Sequence, residues 1–373
     1  MDALMLPLNW QRVRLGDIGK PCMCKRVMKH QTTRYGEIPF YKIGTFGNTA
    51  DAFISKKLFL EYKTRYSFPK KGDILISASG TIGRAVIYDG KPAYFQDSNI
   101  VWIDNDETLV KNDFLFYAYS NVKWNTEHTT ILRLYNDNFR NTLIPLPPLN
   151  EQSAIANILS ALDRYLYALD ALILKKEGVK KALSFELLSQ RKRLKGFNQA
   201  WQRVRLGDIA NYLTSNLSVE QITQQGKIKV YDVNNFIGYT DTTFISDKPY
   251  ISIVKDGSVG RVRILPPKTN ILSTMGALIA NHRTTTEFLF YLLSNFDFKN
   301  FTSGSIIPHI YFKDYKEKTI FLPPLNEQIA IANILSALDN EIASLKNKKR
   351  QFENIKKALN HDLMSAKIRV LEK

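Results

Sequence analysis

The side chains best suited to nucleophilic, acid–base or metal chemistry are few in this 373-residue chain: five histidines (His30, His128, His282, His309 and His361) and two cysteines (Cys22 and Cys24). The histidines are scattered. The cysteines are too few and too closely spaced for a disulfide framework, and no second pair or histidine completes a zinc site, so they read as free thiols. A GxxxxGK(S/T) phosphate loop, a GxGxxG turn after a strand and an HExxH helix are all missing, as is a cysteine nucleophile with a base. Two glycine loops, SGTIG at Ser79 to Gly83 and DGSVG at Asp256 to Gly260, resemble phosphate cradles. Each stands between two strand-like runs rather than before a helix, which favours a hairpin turn whose glycines supply positive φ. The inventory points away from catalysis by this chain.

Charge points to a different role. Lys and Arg number 52 against 35 Asp and Glu, a net charge of +17. The partner such a surface attracts is a polyanion, most often nucleic acid; a generally basic surface is the plainer alternative. The excess is six charges in residues 1–145, four in 146–195, four in 196–321 and three in 322–373. That spread fits a protein lying along a duplex better than a basic tail on a neutral body. Base edges are read by bidentate donors, and phosphates are held by cations and hydroxyls. On these grounds the DNA-contacting candidates are Lys25, Arg26, Lys42, Ser79, Thr81, Arg84, Thr129, Thr130 and Arg133 in the first half. In the second half they are Lys229, Lys255, Ser258, Arg261, Arg263, Thr302, Ser303, Ser305 and His309. Hydrophobic residues make up 44% of the chain, yet no apolar run nears the ~20 residues of a membrane helix and no signal-peptide pattern opens it, so the expected location is cytoplasmic.

The elements that must position these residues are duplicated. WQRVRLGDI occurs at Trp10 to Ile18 and again, identically, at Trp201 to Ile209. LPPLNEQSAIANILSALD at Leu146 to Asp163 returns at Leu322 to Asp339 with one change, Ser153 to Ile329. The first pair is offset by 191 residues and the second by 176, so the second copy is 15 residues shorter between its markers. Inside them the copies share apolar positions and differ in polar ones, as two domains of one fold with two different ligands do. The shared Arg12, Arg14, Arg203 and Arg205 cannot distinguish two sequences and suit phosphates instead.

Each LPPLNEQ leads into a helix, with Asn150 or Asn326 as the expected N-cap. Ile155, Leu159, Leu162, Leu166, Leu169 and Ile173, then Leu183 and Leu187, keep heptad spacing, as do Ile331, Leu335, Leu338, Ile342 and Leu345, then Phe352, Leu359 and Leu363. Helices of about 45 residues, roughly 65 Å, follow. An exposed apolar seam of that length needs a partner, and the simplest is the other helix in an antiparallel coiled coil with a pseudo-twofold axis. Residues before Trp10 then lie near those after Met364, as Ser189 leads covalently to Trp201. The seam breaks at Lys176, Lys180, Lys349 and Lys356 are either positions where the helices diverge or sites for a partner.

Short β-branched and aromatic runs (ILISAS, AVIYDG, IKVYDV, RVRIL) alternate with turn residues, and one helix per domain falls near Phe114 to Asn121 and Phe288 to Asn295. The expected fold is α+β: two globular domains, 1–145 and 196–321, separated by helices in 146–195 and 322–373.

With its two copies of LPPLNEQxAIANILSALD, the chain resembles the specificity subunits of type I restriction-modification systems over its whole length. The most specific markers are Pro145 to Gln152 and the Lys-Ile-Arg-Val of Lys367 to Val370; the second copy departs only in Phe321, where the first has Pro145. The resemblance implies a non-catalytic subunit with two target-recognition domains, each reading one half of a bipartite, asymmetric double-stranded DNA site, and with helices that set the spacer. It also implies two copies of a methyltransferase subunit docked on the helices and restriction subunits that translocate DNA. S-adenosylmethionine, ATP and Mg would then belong to those partners, with no cofactor in this chain. A coiled-coil adaptor with two protein-binding heads also explains the helices, but not the pervasive positive charge.

Overall fold

The computed structural model describes residues 7–128 and 132–370. Two compact units emerge, one formed by Met1–Leu169 with Lys348–Lys373 and the other by Asp170–Asn347. Each unit is a globular domain together with one stretch from each long helix. No helix among the described residues is long and apolar enough to cross a membrane.

The apolar runs become strands, and their burial explains why they are continuous rather than alternating. In the first unit an antiparallel sheet has the order Gly19–Met23, Ile100–Asn105, Ile74–Ser77, Ala85–Ile87. Its two central strands are covered on both faces. Ile74, Ile76, Val101 and Ile103 pack toward the helix Asn112–Tyr119 and the long helices, through Phe114, Leu159 and Leu363. Leu75, Ile100 and Trp102 pack the other way, onto a smaller sheet of Phe53–Ile54, Ile38–Tyr41 and Tyr94–Phe95. Period-two side-chain alternation thus serves two cores at once.

The second unit repeats the plan within itself. Its main sheet runs Ala210–Thr214, Met275–Ala280, Tyr250–Val254, Val262–Leu265, and its smaller one Phe236–Thr240, Ile228–Tyr231, Asn270–Ile271. Ile251, Ile253 and Leu278 face the helix Thr286–Ser294 and Leu335, while Tyr250, Val254 and Ala277 face away. The identical WQRVRLGDI segments do one job in both. Gln11–Arg14 pairs with Leu143–Leu146 and Gln202–Arg205 with Thr319–Leu322, so each domain closes on the strand that enters its helix.

The long helices, Leu149–Leu188 and Leu325–Met364, have 40 residues each, about 60 Å and slightly shorter than the heptads suggest. Their pairing is antiparallel in each unit. Asp163 and Tyr165 meet Lys356 and Phe352 in the first; Lys176 and Lys180 meet Glu341 and Asp339 in the second. Ile155, Leu159, Leu169 and Ile173 are buried along one helix, and Ile331, Leu335 and Ile342 along the other. Both helices end on a residue in the left-handed region, Gln190 at φ 61° and Ala366 at φ 56°, and close with a bond from two residues beyond, Lys192 N–H to Glu186 O and Ile368 N–H to Asp362 O.

The N-cap expectation is corrected. The helices start at Leu149 and Leu325, which puts Asn150 and Asn326 inside the first turn. The end is held by Gln152 and Gln328, both buried. Their amides donate to Pro147 O and Pro323 O at 2.9 and 2.8 Å, and their carbonyls accept from Lys111 N and Thr285 N. A glutamine that bonds helix entry and domain together replaces a local cap.

Candidate nucleic-acid interface

The glycine loops are turns between strands, as their flanks predict, with all four glycines in the positive-φ region: Gly80 at 66°, Gly83 at 82°, Gly257 at 82° and Gly260 at 79°. A side chain at Gly83 would collide with Trp124, and one at Gly260 with Phe298, so each turn is seated on an aromatic ring. This close approach, as well as the φ angle, requires glycine there.

In each unit the loop is joined to a second hairpin. In the first unit Glu127–His128 pairs with Leu132–Arg133, Gly80 N–H donates to Leu132 O, Leu134 N–H to Ala78 O, and Ser79 bridges Arg133. In the second, Thr302–Ser303 pairs with His309–Ile310, Gly257 N–H donates to Pro308 O, Ile310 N–H to Lys255 O, and Asp256 bridges His309. Residues more than 50 positions apart in sequence therefore share one head, built on the same backbone bonds in both units.

What differs is the side chains on this frame. Where the first unit has Ser79 beside an exposed Arg133, the second has Asp256 and His309, whose Oδ1 and Nδ1 lie 2.6 Å apart. His309 stacks on Tyr311 with centroids 6.5 Å apart, and Lys313 lies 5.4 Å from the Tyr311 ring. Ile306 is 92% exposed at the hairpin turn.

The other candidates distribute as follows. Thr81 is exposed on the first loop, and Arg84 at its end is pinned by a 2.9 Å bond from Nη1 to Phe46 O. Arg26 is exposed but ion-paired at 2.8 Å with Asp97, two residues before Asn99, which accepts from Ser79. Lys25 lies 5.1 Å from the Tyr66 ring, and Lys42 pairs with Asp51 at 2.8 Å. Ser79 itself is 5% exposed and its hydroxyl is committed to Asn99, so it braces the loop and is not presented to solvent. In the second unit Ser258, Arg261, Thr302, Ser303 and Ser305 are exposed, Lys255 is half-buried, and Lys229 is exposed on the central strand of the smaller sheet. Thr302 and Ser303 bond their own hairpin, to Phe298 O and His309 O. Arg263 donates to Asn234 O at 2.6 Å and lies over Tyr231. Thr129 and Thr130 lie outside the described residues. The structure thus gathers the loop and hairpin residues into one head per unit and leaves Lys42 and Lys229 on the smaller sheets' side.

Two duplicated polar clusters, which residue types alone did not single out, hold each head to the helices. Glu151 is buried and accepts from Trp10 Nε1 at 3.0 Å and from Arg369 Nε and Nη2 at 2.7 and 3.0 Å. Glu327 accepts from Trp201 Nε1 at 2.9 Å and from Arg193 at 3.1 and 2.6 Å. Arg369 also reaches Asn9, bringing the two ends of the first unit together as the repeat pattern predicts. The carboxylate raises the Arg369 pKa further.

In the second cluster Tyr117 donates to Asp163 at 2.7 Å beside Lys356, and Tyr291 to Asp339 at 2.8 Å beside Lys180, itself 2.5 Å from Asp339. Burial, reinforced by the adjacent carboxylate, holds both phenols protonated well above the usual tyrosine range. Lys180 and Lys356 thus do not mark places where the helices diverge: they close the antiparallel pair. The signal was their matched position at the 176-residue offset.

Similarity to known proteins agrees with this architecture. The family model for the type I restriction modification DNA specificity domain matches residues 7–176 and 198–354. A type I restriction enzyme specificity subunit of Haemophilus influenzae is 63% identical over 148 residues, covering 39% of this chain and 38% of that relative, so the match spans well under half of either. The MjaVIII type I restriction enzyme specificity subunit of Methanocaldococcus jannaschii is 25% identical over 414 residues, covering 99% of this chain and 95% of the relative. The crystal structure of a type I restriction-modification S subunit from M. genitalium shares the fold, with a TM-score of 0.64 at 20% identity over 96% of this chain and 98% of that one. With both of its domains matched, the chain belongs to the type I restriction modification DNA specificity domain family.

Proposed function

We propose that this chain reads a bipartite, asymmetric DNA site, one half-site per unit, and brings partner methyltransferase and restriction subunits to it without performing their chemistry. The observation that carries this reading is the duplicated head: one backbone frame of loop and hairpin that presents Arg133 in one unit and His309 with Asp256 in the other. A frame repeated with different donors suits two different half-sites. The positive charge spread along the chain supplies the sequence-independent attraction to phosphates. S-adenosylmethionine, ATP and Mg belong, on this reading, to the partners, two of them methyltransferase copies.

The paired helices act as the ruler. Inserting seven residues after Ile173, with seven more at the facing position of the second helix, preserves the heptad register and lengthens the pair by about 10 Å. The methylated motif should then keep both half-sites and change its spacer, or activity should be lost. An active complex with an unchanged spacer refutes the ruler.

A further inference from the structure

The heads of the two units keep one backbone frame and differ in the side chains of the second hairpin. At the 176-residue offset that relates the hairpins, His309 stands where the first unit has Arg133, and Ile306 where it has Thr130. On the facing loop Asp256 bridges His309 as Ser79 bridges Arg133. A partner that met both units alike would find different groups on each, so these positions suit a ligand that itself differs between the two halves.

Asp256 Oδ1 and His309 Nδ1 are 2.6 Å apart. A carboxylate has no hydrogen to give, so the proton between them belongs to Nδ1, and in the neutral ring Nε2 is left as an acceptor. Nε2 has no hydrogen-bond partner among the described residues, and the side chain keeps 35% of its surface in water. Stacking on Tyr311, with the planes 22° apart, steadies the ring.

The tip of the same hairpin is apolar. Ile306 is 92% exposed and Ile307 55%, in a turn where polar residues are the rule. Gly304, at φ 90°, shapes this turn: a Cβ there would stand 2.3 Å from Ile307 O. The backbone therefore holds the tip, and Ile306 serves no core.

An imidazole acceptor and an apolar tip together single out one base pair. In the major groove a hydrogen-bond donor is offered by adenine N6 or cytosine N4, and an apolar group by the thymine methyl alone. Only an A·T pair carries both. A protonated His309 would donate instead, to guanine, but the pair that guanine forms has no methyl for Ile306.

We propose that the second unit's head reads an A·T pair, with His309 Nε2 accepting from adenine N6 and Ile306 covering the thymine methyl group, while Asp256 is the positioning residue that fixes the tautomer. The inference rests on the functional reading above for the presence of DNA at the head, and adds which base pair is read and by what contacts.

The test uses the complete chain assembled with its methyltransferase subunits, and duplexes bearing the motif that cells expressing them methylate. The half-site of the second unit is the half that survives exchange of residues 19–145. Within it, deoxyuridine in place of thymidine removes only the methyl group and should weaken competition binding about fourfold at one pair. At that same pair 2-aminopurine, which moves the amine out of the major groove, should weaken it about tenfold. Ile306→Ala should lose a similar factor to the deoxyuridine change on the natural duplex and become indifferent to deoxyuridine. Asp256→Asn, whose amide is able to donate to Nδ1, should reduce the preference for A·T at that pair by about tenfold, with the melting temperature and binding to unrelated duplex unchanged. A half-site without a pair sensitive to both analogues overturns the proposal, as does an Ile306→Ala protein that still senses deoxyuridine. Unchanged binding to every duplex, together with loss of a methyltransferase subunit from the Ile306→Ala assembly, makes the tip a protein contact and likewise overturns it. If exchange of residues 19–145 alters both halves or neither, the broader functional reading fails along with it.

Discussion

Phe352 lies against Tyr165 with ring centroids 4.7 Å apart, and the 176-residue offset carries this same pair of positions to Lys176 and Glu341, which form an ion pair at 2.8 Å. One helix–helix contact is therefore aromatic in one unit and ionic in the other. The two solutions differ in strength. A half-buried aromatic pair loses apolar burial and ring contact on truncation, whereas Lys176 and Glu341 keep 30% and 45% of their side-chain surface in water, where screening removes most of the Coulomb gain. Phe352→Ala should cost about 2 kcal/mol and Lys176→Ala about 0–1 kcal/mol, measured by calorimetric or denaturant unfolding. Equal losses contradict this ranking.

The Glu151 and Glu327 clusters lead to a sharper asymmetry between conservative and disruptive changes. Removing Arg369 or Arg193 leaves a buried carboxylate with its tryptophan bond only, and an uncompensated buried charge is worse than no charge. Arg369→Met should lower the melting temperature more than Lys176→Met does, and Glu151→Gln introduced into Arg369→Met should recover part of the loss. A double variant less stable than the single one shows that the pair is not the source of the effect.

Buried tyrosines set the alkaline limit. Burial pushes Tyr88 and Tyr250 up to about 12 and raises Tyr94, Tyr117, Tyr119, Tyr291 and Tyr315 as well. Unfolded tyrosines ionise near pH ~10, while folded ones keep their protons, so the stability present below that pH falls as pH rises through it. Phenolate absorbance of these residues should appear together with loss of the folded circular dichroism signal. Full tyrosine ionisation in a still-folded protein contradicts the burial assignment.

At the heads, Arg133 and His309 occupy the same place on the shared frame and should each serve one half-site only. Arg133→Ala should cost about 1–3 kcal/mol of specific binding and relax one position of its half-site, leaving the other half intact. His309→Ala should do the same for the opposite half. Competition binding with duplexes degenerate in either half distinguishes this from a general phosphate contact, which weakens all sequences alike and reduces the salt slope.

Much of this architecture is legible in the sequence because it follows from periodicity and repetition. The apolar runs such as ILISAS and RVRIL, the heptads, the turn glycines and the two offsets are local signals, and the antiparallel pairing follows from the need to cover two apolar seams. The polar anchors were not legible. Glu151 and Gln152 look like the first turn of any helix, and only the fold shows that their partners are Trp10, Arg369 and the Lys111 amide. For the same reason Ser79, a plausible reader by residue type, turns out to be a buried brace, and Arg84 is held by a backbone carbonyl. Side-chain chemistry names donors; burial decides which of them face a ligand.

The most direct test of the central claim, one half-site per unit, is the methylated motif of cells expressing this chain with its partners, read before and after replacing residues 19–145 with the corresponding domain of a relative. If each unit reads one half-site, one half of the motif changes to that of the relative while the other half and the spacer stay as they were. A change in both halves, or in neither with methylation intact, contradicts it.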